Sequence, residues 1–376
     1  MSIIIFIIIL LVLVLVHEFG HFFTAKKFGI RVDEFGFGFP PKLFSFKKGE
    51  TEYSFNLLPL GGFVKIFGEN FEEADMMEVG FLEKDLAAKQ DLARSFVHQA
   101  KWKQALVLVA GVFANFLLAW VLFSFSFMTG LPTSASNEEG LKLENVNLVI
   151  TSVVESSPAE NAGLRIGDKI VSLKNENNFT TEITPETVKS FVLESKNKEI
   201  EIGYLRGQDS ETKLATAIPT MNETAKKPEI GISMDMIGTA KLPLFRAFWE
   251  GMKLDLLMTK NTAVGLYTLI LDGFQGKNGL AAVTGPVGMV SIVGDAYEFG
   301  FVYLLSFAAL ISINLSIINL LPFPALDGGR LLFLLIEKIK GSRLNPKFAN
   351  TANMIGFSLL IFLMLFITYH DIIKLF

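Results

Sequence analysis

Four long apolar runs alternate with polar stretches along the chain. The runs cover residues 3–16, 105–128, 301–321 and 355–369. A spanning helix needs about 20 predominantly apolar residues, and each run reaches or approaches that length with its flanks. The pattern therefore predicts a polytopic α-helical membrane protein with four transmembrane helices, assigned to residues 1–25, 103–130, 300–327 and 353–370.

The segment after the first run has a β pattern. Phe35, Phe37 and Phe39 alternate with polar residues and glycines, and residues 59–65 form a turn followed by a short strand-like stretch. We therefore expect a membrane-associated β-hairpin within residues 26–102.

The long segment between the second and third runs divides into two parts. Residues 145–238 contain short β-rich runs separated by turns, with a helix start at Thr184-Pro185-Glu186, which predicts a small α+β domain. Residues 239–299 place aromatic and aliphatic side chains between scattered charges. We expect an amphipathic helix on the membrane surface there.

Charge sets the expected orientation. The segment 328–352, expected to be a loop, contains an excess of basic residues: Arg330, Lys338, Lys340, Arg343 and Lys347. The positive-inside rule places this segment in the cytoplasm. With four spans, residues 26–102 are then also cytoplasmic and the α+β domain lies outside. The expected location is a cell's inner (cytoplasmic) membrane.

Composition supports the membrane class and limits the chemistry. Hydrophobic residues make up 51% of the chain and charged residues 19%, against about 25% charged in soluble proteins. The net charge of −4 gives no indication of a nucleic-acid partner, so the expected partners are the lipid bilayer and other proteins. There is no cysteine, so any zinc must be held by His, Asp or Glu.

The first apolar run ends in His17-Glu18-Phe19-Gly20-His21, an HExxH motif. A spacing of four places both imidazoles on one helical face, where they can share a metal ion. Glu18 can then accept a proton from water activated by zinc, which lowers the pKa of that water to roughly 7. Ionisable groups in a membrane helix cost roughly 2.5–3.5 kcal/mol each, so they indicate a functional site.

Catalytic zinc takes three protein ligands and leaves one position open. His98 lies in a polar stretch before the second run, and His370 lies at the far end of the fourth. Asp327 is the better candidate, because it follows Pro322 and Pro324 where the third span ends. Spans one and three run in the same direction, so Asp327 and the two histidines are expected at the same depth, near the cytoplasmic face.

These motifs resemble those of the site-2 protease family of intramembrane zinc metalloproteases, most of all the bacterial sigma-E-regulator protease type with a PDZ domain. The resemblance rests on the HExxH motif together with Asn319-Leu-Leu-Pro-Phe-Pro-Ala-Leu-Asp327-Gly-Gly. It implies zinc as the cofactor, His17, His21 and Asp327 as its ligands, and Glu18 as the catalytic base.

The same resemblance implies residues that contact the substrate. Asn319 would hydrogen-bond the substrate backbone, with Asn314 as the alternative, and Asn115 ends a small-residue motif near the active site. Gly61, Gly62 and Phe63 would belong to a hairpin that presents a sheet edge to an extended peptide. Ordinary helix packing or turn formation would also account for the asparagines and glycines.

Ser157-Pro-Ala-Glu-Asn-Ala-Gly-Leu-Arg-Ile-Gly167-Asp168 resembles the signature of bacterial PDZ domains. The resemblance implies one extracytoplasmic PDZ domain that binds a peptide, filters substrates by size, or serves as a spacer. The expected function is cleavage of membrane proteins with a single transmembrane helix, such as anti-sigma factors or remnant signal peptides. The alternative is a catalytically inactive PDZ-containing membrane adaptor.

Overall fold

The computed structural model describes residues 1–69, 92–135, 141–207, 209, 211–222, 227–275 and 283–374. Within these ranges the chain forms two compact units. The first contains residues 1–123, 251–294 and 307–376, and the second contains residues 124–250 and 295–306. Residues 70–91 of the segment 26–102, within which the hairpin was expected, lie outside the described residues.

The helices described are α1 Ser2–Lys27, α2 Lys101–Thr129, α3 Pro158–Asn161, α4 Pro185–Glu194, α5 Leu244–Phe274, α6 Pro286–Phe299, α7 Phe301–Leu320, α8 Asp327–Lys340 and α9 Pro346–Lys374, with a 3-10 turn at Phe96–His98. The strands described are β1 Val32–Lys48, β2 Thr51–Ile66, β3 Leu131–Ser134, β4 Leu143–Val153, β5 Lys169–Lys174, β6 Phe179–Thr180, β7 Ile200–Leu205, β8 Lys213–Ala217, β9 Thr220–Asn222, β10 Lys227–Glu229 and β11 Ile232–Ala240.

Four of these helices are long and apolar enough to cross a membrane. They are α1, α2, α7 and α9, with mean hydropathies between 2.0 and 3.0 in their most apolar windows. The expectation of four membrane-spanning helices is confirmed to that extent. Helix α5, 31 residues long, occupies the segment where an amphipathic helix was expected.

The backbones of helices α1 and α2 approach each other closely where the two helices cross. A Cβ added at Gly20 would lie 2.3 Å from the carbonyl oxygen of Ala110 and 2.9 Å from the Cβ of Ala114. Only glycine fits at that crossing. Small residues at such contacts let helix backbones approach closely and are typical of membrane helix pairs.

Helix α8 corrects one expectation. Residues 328–352 were expected to form a loop, but Asp327–Lys340 is helical and the last helix begins at Pro346. Leu331 and Leu334 pack against an apolar cluster that includes Ala25 and Ile30. Three of the five basic residues counted as loop charges, Arg330, Lys338 and Lys340, lie within this helix, so the charge count alone did not distinguish a loop from a helix.

The strands β1 and β2 form an antiparallel hairpin that bends back on itself. Phe35 is in register with both Val64 and Tyr53, and Phe37 with both Gly62 and Phe55. Residues 32–37 therefore lie between segment 51–55 and segment 62–66. In the described residues no second strand pairs with the other side of segment 62–66, so this segment forms an edge of the sheet.

The second unit contains an antiparallel sheet in the order β3-β11-β4-β5-β7-β8, with β6 paired to β5. Its core is apolar and includes Ile150, Ile200 and Ile202, all fully buried. Buried Asp168 accepts hydrogen bonds from the Nε of Arg206 at 2.8 Å and from its Nη2 at 2.7 Å. This ion pair compensates the carboxylate for its removal from water.

Candidate active site

Three side chains from α1 and α8 meet in the first unit. The Nε2 of His17 lies 3.0 Å from the Oδ2 of Asp327, and the Nε2 of His21 lies 3.3 Å from the same oxygen. The two Nε2 atoms are 3.1 Å apart. His17 and His21 are 6% and 7% exposed, so the group is almost closed to solvent.

This geometry fits a tetrahedral zinc site. With zinc–ligand bonds of about 2.0–2.2 Å, neighbouring ligand atoms lie roughly 3.3 Å apart, close to the three separations observed. When both rings carry their proton on Nδ1, two imidazole lone pairs and a carboxylate oxygen face one another at these distances, and a cation between them relieves the repulsion. Two histidines and one carboxylate also form a ligand set of known catalytic zinc sites, which leave one position open.

The tautomer of His21 is set by the backbone of α2. Its Nδ1–H donates a hydrogen bond of 2.8 Å to the carbonyl oxygen of Val107, which leaves Nε2 with the lone pair that a metal requires. A Cβ at Gly111 would lie 2.2 Å from this Nε2. Glycine at this position therefore makes the space in which the His21 ring lies.

Asp327 is placed by the irregular stretch between α7 and α8. A Cβ at Gly328 would lie 2.3 Å from the carbonyl oxygen of Leu320, and one at Gly329 would lie 2.2 Å from that of Phe323. The two glycines thus allow α8 to begin directly against this stretch. Asp327 is the first residue of α8, where the partial positive charge of the helix N-terminus favours a carboxylate.

A polar cavity of about 210 Å³ opens beside the three ligand atoms. Its lining includes His17, Glu18, His21, Phe63 and Asp327. Glu18 therefore shares one water-accessible space with the group that fits a metal. This is the arrangement that a general base for metal-assisted hydrolysis requires.

The hairpin supplies one wall of this cavity. Phe63 lines it, whereas the positions of Gly61 and Gly62 serve close packing. A Cβ at Gly62 would lie 3.0 Å from the carbonyl oxygen of Gly36 and 3.8 Å from the Cγ of Glu18. The absence of a side chain at Gly62 therefore lets segment 62–66 lie close to its partner strand, and a Cβ at Gly61 would lie 2.9 Å from the ring of Phe39.

The three asparagines take different positions. The Nδ2 of Asn319 lies 3.4 Å from the Nε2 of His17, beside the ligand atoms, whereas Asn314 is exposed. Asn115 is 0% exposed and does not line the cavity. Its Nδ2 lies 3.5 Å from the Nδ1 of His17. Because Asn115 is buried behind a ligand, its position does not suit the substrate contact expected from the sequence.

The cavity also has a wall that the sequence did not reveal. Arg330 lies one turn after Asp327, lines the cavity and forms an ion pair with Glu69, which lines it too. Ala325 lines it with a backbone φ of +77°, and its N–H donates to the Oδ1 of Asn353 at 3.1 Å. The sequence could have indicated Arg330 as a cavity residue only through its spacing of three from Asp327, which places both on one face of a helix once α8 is known to be helical.

The other two histidines lie elsewhere. Of the residues the structure describes, the group able to share a metal contains His17, His21 and Asp327, and neither His98 nor His370 belongs to it. His98 lies in the 3-10 turn before α2.

Comparison with known proteins gives a consistent result. The model of the family described as "Peptidase family M50" matches residues 5–363 of this chain. The "Zinc metalloprotease RasP" of Geobacillus kaustophilus is 30% identical, with the alignment covering 100% of this chain and 98% of that protein. The "Regulator of sigma-W protease RasP" of Bacillus subtilis is 32% identical, and the alignment covers 100% of this chain and 99% of that protein.

A solved structure is also similar over a shorter stretch. The PDZ domain of an SdrC-like protein from Listeria monocytogenes is 21% identical, covers 25% of this chain and 93% of that domain, and has a TM-score of 0.21. The relatives' full-length similarity and the family match agree with the buried group that fits zinc. This chain belongs to peptidase family M50, and it is a multi-pass membrane protein and a zinc-dependent intramembrane protease.

Proposed function

We propose that His17, His21 and Asp327 are the zinc ligands of this protease. The observation that supports this is the convergence of their three ligand atoms at 3.0–3.3 Å. Zinc bound there supplies Lewis-acid activation of water and of a peptide carbonyl at neutral pH. The rest of the chemistry belongs to the protein's own side chains.

Glu18 is the proton carrier. Its carboxylate lines the same cavity as the ligand atoms and takes a proton from the attacking water. It then delivers that proton to the nitrogen of the leaving amine, which must be protonated to depart. Asn319, with its amide nitrogen 3.4 Å from the Nε2 of His17, donates a hydrogen bond to the substrate backbone beside the scissile bond.

The substrate binds as an extended strand along segment 62–66. No described strand pairs with the outer side of this edge, and Phe63 lies on the cavity wall. In a membrane-spanning helix every peptide bond is hydrogen-bonded within its own segment, which shields it from attack. A substrate helix must therefore unwind, and pairing with a strand edge satisfies the backbone groups that unwinding exposes.

The substrates are membrane proteins with a single transmembrane helix. The name of the Bacillus subtilis relative describes it as a regulator of sigma-W. This supports regulatory membrane proteins such as anti-sigma factors as substrates, with remnant signal peptides as a second class. The small cavity beside α1 is compatible with both anti-sigma factors and remnant signal peptides, since each of these substrates presents one apolar segment.

The domain at 145–238 is a PDZ domain that binds an extended peptide. A groove of about 510 Å³ lies between α4 and the start of β11, with Val188, Val192 and Ile232 among its apolar lining. Residues 232–234 pair with β4 on one side, while their other side is unpaired in the described residues. An added strand fits such an edge. If the domain filters substrates by size instead, this groove needs no occupant.

The protein lies in the inner membrane with the PDZ domain outside and the active site near the cytoplasmic face. The basic residues of α8 and of the residues that follow it support this orientation through the positive-inside rule. The exposed Phe245, Trp249 and Tyr267 of helix α5 suit a membrane interface. Its Leu254 and Met258 pack against a cluster of residues from the spans α2 and α7.

Zinc content tests the ligand set. Purified wild-type protein should contain about one zinc per chain, and His17→Ala and Asp327→Ala should lose it, because three ligands are the minimum for a catalytic site. His98→Ala and His370→Ala are matched controls that should retain it. Loss of zinc in a control, or its retention in Asp327→Ala, would assign the third ligand elsewhere.

Replacing Glu18 tests the proton carrier. Glu18→Gln should reduce cleavage of a single-span reporter by about 10²–10⁴-fold, because the amide cannot accept a proton, while zinc content stays at the wild-type level. Glu69→Gln changes another glutamate of the same cavity and should retain most activity. A larger loss in Glu69→Gln than in Glu18→Gln would transfer the role to Glu69.

An aromatic pair on the hairpin tests the substrate edge. Phe63→Ala should lower kcat/KM for the reporter by roughly tenfold through lost contact with the extended peptide, without change in zinc content. Phe46→Ala removes an exposed ring of the same hairpin, stacked on Tyr53, and should change kcat/KM by less than about twofold. Equal effects of the two substitutions would contradict a specific role for this edge.

Cysteine labelling tests the orientation, since the chain has no cysteine of its own. A thiol at exposed Asn177 (Asn177→Cys) should react with an impermeant maleimide added outside intact cells. A thiol at exposed Lys347 (Lys347→Cys) should react only after the membrane is permeabilised. The reverse pattern would invert the topology.

A further inference from the structure

Asn115 is buried behind the candidate zinc site and touches one of its ligands. It is 0% exposed, lies on α2 and places its side-chain amide 3.5 Å from the Nδ1 of His17. Its carbonyl Oδ1 has no hydrogen-bond partner although it is buried. A buried amide oxygen without a partner is costly, so this position needs a physical explanation.

The requirement on His17 supplies that explanation. If Nε2 faces the metal, the neutral ring must hold its proton on Nδ1, which then needs an acceptor. His21 meets the same requirement through the carbonyl oxygen of Val107, at 2.8 Å from its Nδ1. With the amide nitrogen of Asn115 facing His17, two donors meet and the amide oxygen is left without a partner.

A half-turn of the amide removes the clash of two donors between Asn115 and His17. The nitrogen and oxygen of an asparagine occupy equivalent places, so the rotation requires no other movement. The Oδ1 then accepts the hydrogen bond from the Nδ1–H of His17. The backbone of Asn115 is held in place by α7, because the hydroxyl of Ser312 donates to its carbonyl oxygen at 2.8 Å.

We propose that Asn115 is a positioning residue, which accepts a hydrogen bond from the Nδ1–H of His17 and thereby fixes that ring with its Nε2 toward zinc. The proposal rests on the zinc site proposed above. The two ligand histidines of α1 are then held by two groups of α2, a backbone carbonyl for His21 and a side-chain amide for His17. Partners of this kind typically alter metal affinity by 10–100-fold when removed.

Zinc affinity, measured by competition with a chelator on the full-length protein in detergent, tests the proposal. Asn115→Leu keeps the branched shape and the number of side-chain heavy atoms without an acceptor, and it should weaken zinc binding by about 10–100-fold. Asn115→Asp keeps an acceptor oxygen in the same place and should stay within a few-fold of wild type. Ser316→Ala is the packing control, because the Ser316 hydroxyl joins α7 to the carbonyl oxygen of Val112 at 3.1 Å without touching His17.

The outcomes separate this proposal from the zinc site itself. Equal affinities in all four proteins, or equal losses in Asn115→Leu and Asn115→Asp, would overturn the role of Asn115 while leaving the ligands as assigned. Absence of zinc in wild type would instead contradict the site. If Asn115→Leu does not fold, Asn115→Ser shortens the side chain beyond reach of His17 and should show the same loss of affinity.

Discussion

The rest of the first unit depends on one constraint: three ligand atoms must lie about 3 Å from one another. Two of them belong to α1, and the third belongs to Asp327, which follows His17 by 310 residues. The histidines meet by the helical period, but the aspartate must be brought to them by packing. Glycines occupy the points where this approach is closest. Gly20 lets α1 and α2 cross, and Gly111 makes room for the ring of His21. Larger residues at either position would separate the helices that hold the site.

The interruption between α7 and α8 follows from the same constraint. A continuous helix would direct residue 327 further along its axis, so the chain breaks at Leu320 and restarts at Asp327. Irregular backbone within a membrane protein is tolerated where it is buried in protein or lines a cavity. Here it meets both conditions, because Ala325 lines the cavity and is held by Asn353, and the Pro324 carbonyl packs against Gly356.

The sequence predicted those parts of the site that depend on local pattern or on a specific motif. The spacing of His17 and His21 is a helical property, and the four apolar runs need only length and composition. Helix α8 was missed because its basic residues were counted as loop charges, although Leu331 and Leu334 have helical spacing. The contacts of Asn115 with His17 and of Arg330 with Glu69 join residues about 100 and 260 positions apart. No local pattern specifies such pairs, so they emerged only from the packed structure.

The combination of rigid helices with a strand edge suits the physical problem of cutting a membrane helix. Zinc ligands must be held rigidly, and helices packed through glycines provide that rigidity. A substrate backbone, by contrast, must leave its own helix, which exposes N–H and C=O groups at several kcal/mol each in an apolar setting. A strand edge such as segment 62–66 can pair with those groups, and this edge shares a cavity with Glu18, because Phe63 and Val64 line it too. The close approach of hairpin to helix therefore links two steps, stabilising the unwound substrate and presenting it to the base.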